Sequence, residues 1–329
     1  MSPARSPEAS TWHMAGWEVL GRIARGSTAD VLVARAALSG DETPASLALG
    51  LVTADRRVVL KRLYPHLAAD EDFVKSFVDE VRLMSLLRHR GIVDVLDLDE
   101  DDETCFAVLE LVDGPSLSAA LRLHAKKQQH VDVAVVKAIG ARVAEALHVV
   151  HSACDPKSGE PLLLVHRDVN PQNILVGRDG AVKLADFGVA RSAPGRLNGI
   201  LAARTTNAGV LKGKVSFMSP EQLKGDVVDG RADLFALGAT LYLLLTGSLP
   251  FTGGSDIELF EAIANHEPPA PSQARPAVAA LDDLVMSLLH KDPARRPASA
   301  DEVHQALSGI EDDVVAAFVT GLGLPSLRA

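Results

Sequence analysis

Val165-His166-Arg167-Asp168-Val169-Asn170-Pro171-Gln172-Asn173, followed thirteen residues later by Asp186-Phe187-Gly188, is the stretch that decides how the chain is read. An Asp, an Asn five residues on, and a second Asp before a Gly set hard oxygen donors at three points. Apolar runs at 162–165, 174–176 and 181–184 flank them and predict short buried strands or strand ends. The polar groups then fall at strand–loop junctions, where carboxylates and amides need partners. Mg²⁺ takes hard oxygen ligands together with phosphate oxygens, so the pattern points to a metal–phosphate site.

The two segments resemble the signatures of protein kinases, the His-Arg-Asp loop with its Asn and the Asp-Phe-Gly loop. The resemblance implies an α+β, two-lobed kinase-like fold. Its small N-lobe is an antiparallel sheet with one helix, its larger C-lobe is mainly α-helical, and ATP and Mg²⁺ (Mn²⁺ as the alternative) bind between them. It implies that Asp168 accepts or orients the proton of a substrate hydroxyl, and that Asn173 and Asp186 hold the metal ions on the ATP phosphates. His166 and Phe187 are implied apolar supports.

Upstream, 17–23 reads as a strand, then Ala24-Arg25-Gly26-Ser27-Thr28-Ala29-Asp30-Val31, then a strand at 31–34. The small-x-Gly-x-x-small-x-Val pattern resembles the glycine-rich loop over ATP, which implies nucleotide contacts at Ala24, Gly26 and Val31. Ala24 and Ala29 replace the outer glycines. Residues 36–57 predict an inserted surface loop. A β-branched strand, Val58-Val59-Leu60-Lys61, follows. Asp70 is placed to cap a helix running to about Leu87, with Phe73, Phe77, Met84 and Leu87 on one side. Glu80 falls inside that stripe and needs a partner there. Lys61 is the natural one, and in kinases this pair orients the lysine on the α- and β-phosphates. Val59 stands where the family has a small Ala beside adenine.

Residues 89–98 and 104–111 read as two more strands. Ala107-Val108-Leu109-Glu110-Leu111-Val112-Asp113-Gly114 resembles the kinase hinge. This implies Leu109 as gatekeeper and adenine contacts near Glu110 and Val112, with Leu175 as a further contact. Residues 117–124 and 131–152 predict helices. His148 and His151 on the second read as packing residues.

Downstream, 189–220 carries Arg191, Arg196, Arg204, Lys212 and Lys214 and no acid, with Thr205 and Thr206 in its middle. A phosphothreonine there, with Arg167 as a guanidinium partner, would order the segment; Thr205 or Thr206 is the expected regulatory site. Gly213-Lys214-Val215-Ser216-Phe217-Met218-Ser219-Pro220-Glu221 resembles the motif closing the activation segment, with Lys214 where a Thr is usual. The resemblance implies that Glu221 pairs with Arg296 and that Asp233 supports the catalytic-loop backbone. Residues 281–290 and 302–318 read as helices. The main departure is Asn170, neutral where Ser/Thr kinases carry a lysine on the γ-phosphate. Lys214 is the candidate substitute.

The chain has 329 residues, 47% hydrophobic and 23% charged, enough for a sizeable core. Its net charge of −10 argues against nucleic-acid or anionic-membrane binding. Cys105 and Cys154 lack metal-ligand spacing and predict free, buried thiols in a reducing cytosol. No run approaches the ~18 apolar residues of a membrane span, and no signal pattern opens the chain. The expected organisation is a disordered leader over 1–16, a kinase domain over 17–309 (N-lobe 17–110, C-lobe 115–309) and a helical tail over 310–329. The Met-Ser-Pro-Glu-Gln segment resembles bacterial Ser/Thr kinases. The expectation is a cytoplasmic enzyme phosphorylating Ser/Thr of proteins and its own activation segment. The alternative, suggested by Asn170 and the missing glycines, is a catalytically weak pseudokinase serving as a nucleotide-binding scaffold.

Overall fold

A computed structural model of the chain describes residues 12–26, 28–37, 44–48, 52–53, 55–101, 104–186, 213–310 and 313–327. It divides into two compact units, one drawn from Met1–Arg88 and Val93–Leu111, the other from His89–Ile92 and Val112–Leu327.

The first unit is one antiparallel sheet. Its strands are β1 (Trp12–Met14), β2 (Trp17–Arg25), β3 (Ala29–Ala36), β4 (Val58–Leu63), β5 (Val95–Glu100) and β6 (Cys105–Glu110), in the order β1-β2-β3-β4-β6-β5. β4 lies between two neighbours, and its Val58, Val59 and Leu60 are all buried, so the strand is covered on both faces there and reads as an apolar run rather than an alternation. One face packs Trp17, Leu32, Leu60 and Phe106 into a core. Helix α1 (Ala45–Ala48) lies in the insertion between β3 and β4. Short α2 (Pro65–Ala68) and then α3 (Glu71–Ser85) follow β4. Asp70 caps α3, accepting the N–H groups of Asp72 and Phe73.

Three expectations change here. The sheet starts before Trp17, so the leader expected over 1–16 is too long. Ala15 and Gly16, at φ 45° and 78°, make a two-residue turn that pairs Met14 with Trp17. The insertion expected on the surface buries Ser46 and Val52, and Val52 joins the core. The strand expected over 89–98 begins at Val95. Residues 89–92 belong to the second unit, where Leu184 donates to Gly91 O at 2.8 Å.

The second unit is helical around a hairpin of β7 (Ile174–Val176) and β8 (Val182–Leu184). Its helices are α4 (Leu117–Ala125), α5 (Val133–His151), α6 (Pro220–Lys224), α7 (Arg231–Thr246), α8 (Asp256–Asn265), α9 (Pro271–Ala274), α10 (Asp282–Leu288), α11 (Ala300–Leu307) and α12 (Asp313–Thr320). α7 is apolar nearly all round because it is buried nearly all round. α5 packs on α7 and α11 at Gly140, where a Cβ would lie 2.7 Å from Leu307 and 2.8 Å from Leu241. The helix expected over 302–318 is instead α11 and α12, with Gly309 at φ 89° after α11. Residues 162–165 form no strand. Leu163 is left-handed at φ 49° and 81% exposed. No described helix is long and apolar enough to cross a membrane.

Candidate active site

In the first unit the sheet register sets the site residues in two adjacent rows. Ala24 pairs with Val31, Val31 with Lys61, and Val59 with Leu109. Val59 and Lys61 are two apart on one strand and share a face. Gly26 follows β2, its N–H donating to Ala29 O at 2.8 Å and its carbonyl accepting from Tyr64 Oη at 3.0 Å. On α3, Phe77, Glu80, Val81 and Met84 are buried. A carboxylate in that stripe is tolerated because Lys61 Nζ donates to Glu80 Oε1 at 3.0 Å, both side chains being largely shielded. Lys61 also lies 5.9 Å from the centroid of the Phe77 ring. Glu110 closes β6, its carboxylate accepting Asp94 N at 2.9 Å.

In the second unit Asp168, Asn170, Asn173 and Lys214 form a dense polar cluster. Asp168 Oδ1 accepts from Asn170 Nδ2 at 3.1 Å, and Oδ2 from Asn173 Nδ2 at 3.0 Å. Both amides also donate to the Asp168 carbonyl, at 2.9 and 2.8 Å. Lys214 Nζ reaches Asp168 Oδ2 at 3.1 Å. The hydrogens of Asn173 Nδ2 go to Asp168, which turns the amide so that Oδ1 is the atom a cation would use. Asn173 immediately precedes β7 and Asp186 follows β8 by two residues. Ile174 pairs with Leu184, and Ala185 N donates to Asn173 O at 2.9 Å. The hairpin thus closes the sequence gap between Asn173 and Asp186. Leu175 sits at its centre, opposite Lys183. Val112 precedes a turn in which Gly114 N donates to Val112 O at 2.9 Å.

The loop is held from behind by Asp233. It is buried in the first turn of α7. Its oxygens accept His166 N at 2.8 Å, Arg167 N at 2.7 Å and His151 Nε2 at 2.8 Å. Burial pushes the Asp233 carboxyl up, but His151 and the His166 backbone outweigh it and hold the acid below its ordinary range. His166 is fully buried, and loss of hydration lowers its pKa despite the charges of Asp233, Asp168 and Asp186. Its Nδ1 accepts Asp168 N at 3.3 Å, which fits a neutral ring. Arg167 and Asp186 have left-handed backbones, at φ 65° and 57°. Such conformations persist where surroundings over-determine them. At Arg167 the N–H is fixed by Asp233, and the carbonyl accepts Gln222 Nε2 at 3.0 Å.

Glu221 and Arg296 meet in a two-pronged pair of 2.6 and 2.9 Å. The remaining Arg296 donors go to the carbonyls of His290, Arg231 and Lys291. Phe187, Thr205, Thr206, Arg191, Arg196, Arg204 and Lys212 lie outside the described residues. Two contributors escape a reading of the sequence. His151, read as packing, bonds Asp233, and Gln222 ties α6 to the catalytic loop. Ser219-Pro220-Glu221-Gln222 is a readable capping box, with Gln222 Oε1 accepting Ser219 N at 3.1 Å. His151 carries no such signal.

Residues 47–307 match the family model described as Protein kinase domain. The chain is 32% identical over 308 residues to the tyrosine-protein kinase MasK of Myxococcus xanthus, covering 94% of this chain and 44% of that protein. It is 34% identical over 278 residues to the serine/threonine-protein kinase PknL of Mycobacterium tuberculosis, covering 84% and 63%. The crystal structure of the Mycobacterium tuberculosis PknI kinase domain superposes with a TM-score of 0.61 at 28% identity, over 93% of this chain and 98% of that one. The chain therefore spans roughly half the length of these curated relatives, 44% of one and 63% of the other.

Proposed function

The chain belongs to the protein kinase family, its relatives being bacterial, and from that premise we propose that it transfers the γ-phosphate of ATP to serine and threonine hydroxyls of proteins, its own activation segment included. The observation that carries this reading is the cluster in the second unit. Asp168 is bonded to Asn173, and the β7–β8 hairpin brings Asp186 to the same end. These oxygen donors fit a hard cation, and Asn173 Oδ1 and the Asp186 carboxylate would hold Mg²⁺. When bound, that ion neutralises phosphate charge and orients the triphosphate. Asp168 would take the acceptor hydroxyl's proton. Lys61, fixed by Glu80, would bind the α- and β-phosphates. Ala24, Gly26, Val31, Val59, Leu109, the backbone near Glu110 and Val112, and Leu175 would make the other nucleotide contacts. A cytoplasmic place of action belongs to this reading, since ATP is the donor.

One relative bears the name of a tyrosine kinase, the other of a serine/threonine kinase. Serine and threonine are favoured here because no Arg follows Asp168 within the loop to replace a lysine at position 170. The regulatory reading places phosphate on Thr205 or Thr206, with Arg167 as partner. Neutral Asn170 and alanines 24 and 29 support the second reading, a nucleotide-binding scaffold with weak catalysis.

The test is incubation of the purified chain with Mg-ATP, then mass spectrometry for phosphate on the chain and on a generic basic protein, against an Asp186→Asn control. Phosphoserine or phosphothreonine on both, with Thr205 or Thr206 among the sites, is the expected result. Labelling equal to the control supports the scaffold.

A further inference from the structure

We propose that Lys214 is a catalytic residue in this chain, supplying from the segment before α6 the positive charge that Asn170 cannot supply from the loop itself; this rests on the phosphotransfer reading above. In transfer, the acceptor hydroxyl gives its proton to Asp168. Its oxygen forms a bond to the γ-phosphorus, and the bond from that phosphorus to the bridging oxygen breaks, its electron pair leaving with ADP. A carboxylate must therefore work beside an anionic phosphate, and that repulsion is eased only by cations held close.

The Asp168 oxygens show what each neighbour offers. Asn170 brings an amide to Oδ1 at 3.1 Å. Asn170 has no charge to give, and its Oδ1 is already used by Gln172 N at 2.9 Å. Lys214 brings an ammonium to Oδ2 at 3.1 Å, its side chain 22% exposed. An ammonium has three donors, so one bond to Asp168 leaves others for phosphate oxygens.

Lys214 is also held in place, unlike a loose surface lysine. The turn behind it is closed by Phe217 N donating to Lys214 O at 3.2 Å and Met218 N to Val215 O at 3.0 Å. Val215, Ser216, Phe217, Met218 and Ser219 are all buried. Past them the Glu221–Arg296 pair anchors the segment, and Gln222 donates to the carbonyl of Arg167, the residue before Asp168. The segment is therefore anchored at Arg296 and braced on the catalytic loop at Arg167, and a charge held in position acts strongly on a transition state.

The test compares steady-state kinetics of the full chain with those of Lys214→Met, Lys214→Arg and Lys214→Met/Asn170→Lys, with Asp186→Asn as the inactive control. Methionine keeps the aliphatic stem, so melting temperatures should stay within a few degrees. The expected result for Lys214→Met is a kcat lower by about 10- to 100-fold with KM for ATP within about twofold. Lys214→Arg should keep most activity. Adding Asn170→Lys, whose side chain starts beside Asp168 Oδ1, should recover kcat to within about fivefold of the parent. An active parent with unchanged Lys214→Met kinetics overturns the proposal, as does a Lys214→Met loss that Asn170→Lys fails to recover. A kcat that rises in Lys214→Met also overturns it, because the pair would then be an inhibitory clasp. A parent no faster than Asp186→Asn overturns the phosphotransfer reading itself, and this inference with it.

Discussion

Asp233 accepts the backbone N–H of His166 at 2.8 Å across 67 positions of sequence. A carboxylate can accept here from three donors at once, which an amide cannot, since its nitrogen would face another N–H. Asp233→Asn should lower the thermal midpoint by several degrees, at about 1–3 kcal/mol for each buried group left unmatched. It should also lower kcat by tenfold or more without changing KM for ATP. Calorimetry and initial rates measure both.

The Glu221–Arg296 pair predicts an asymmetry between single and double variants. Arg296→Met leaves a buried carboxylate unpaired and should cost about 3–5 kcal/mol. Glu221→Leu/Arg296→Met should cost less than either single change. Urea unfolding of the three variants at pH 7 decides it.

The same pair sets an acid limb to stability. Burial pushes the Glu221 carboxyl up, but the Arg296 hydrogen bonds and charge outweigh it and hold it below 4.5. The folded form therefore binds fewer protons than the unfolded one. The stabilisation is complete above about pH 4.5 and is lost as pH falls through the folded value. In the double variant the unfolding free energy should fall less steeply below pH 4.5 than in the parent.

Lys291 should stand out chemically. Burial, then the nearby Arg296 charge, lowers its pKa to about 8. Its ammonium donates to Ile263 O at 2.7 Å near the end of α8 and lies 3.7 Å from the Phe251 ring centroid. A cavity of about 290 Å³ lined by Met286, His290 and Lys291 gives a reagent access. Competitive acylation followed by peptide mapping should give a reactivity midpoint near pH 8 at Lys291, below that of solvent-exposed lysines.

Sequence reading succeeded where a polar residue interrupts an apolar pattern. Glu80 in the α3 stripe demands a partner, and the structure supplies Lys61; the bond from Asp233 to the loop backbone is implied by the kinase resemblance and not by the local pattern. It failed where the contact is remote and the local signal short. Three residues of β1 carry no periodicity, and their pairing depends on a turn at Ala15 and Gly16. The apolar run 162–165 reads as a strand, yet it forms none, and the backbone just beyond it bonds the Asp233 side chain. The end of the chain is equally silent. Ser326 Oγ and Leu327 N bond the Asp113 carboxylate, both at 2.7 Å, across more than two hundred positions.

On the phosphotransfer reading Asp168 does chemistry and does not serve binding. The direct measurement is single-turnover phosphate transfer at saturating Mg-ATP by the parent and by Asp168→Asn, with the nucleotide dissociation constant of each determined in parallel. The expected result is a rate lower by about 10³-fold or more in Asp168→Asn with nucleotide affinity within about threefold. Equal rates in the two proteins would contradict it.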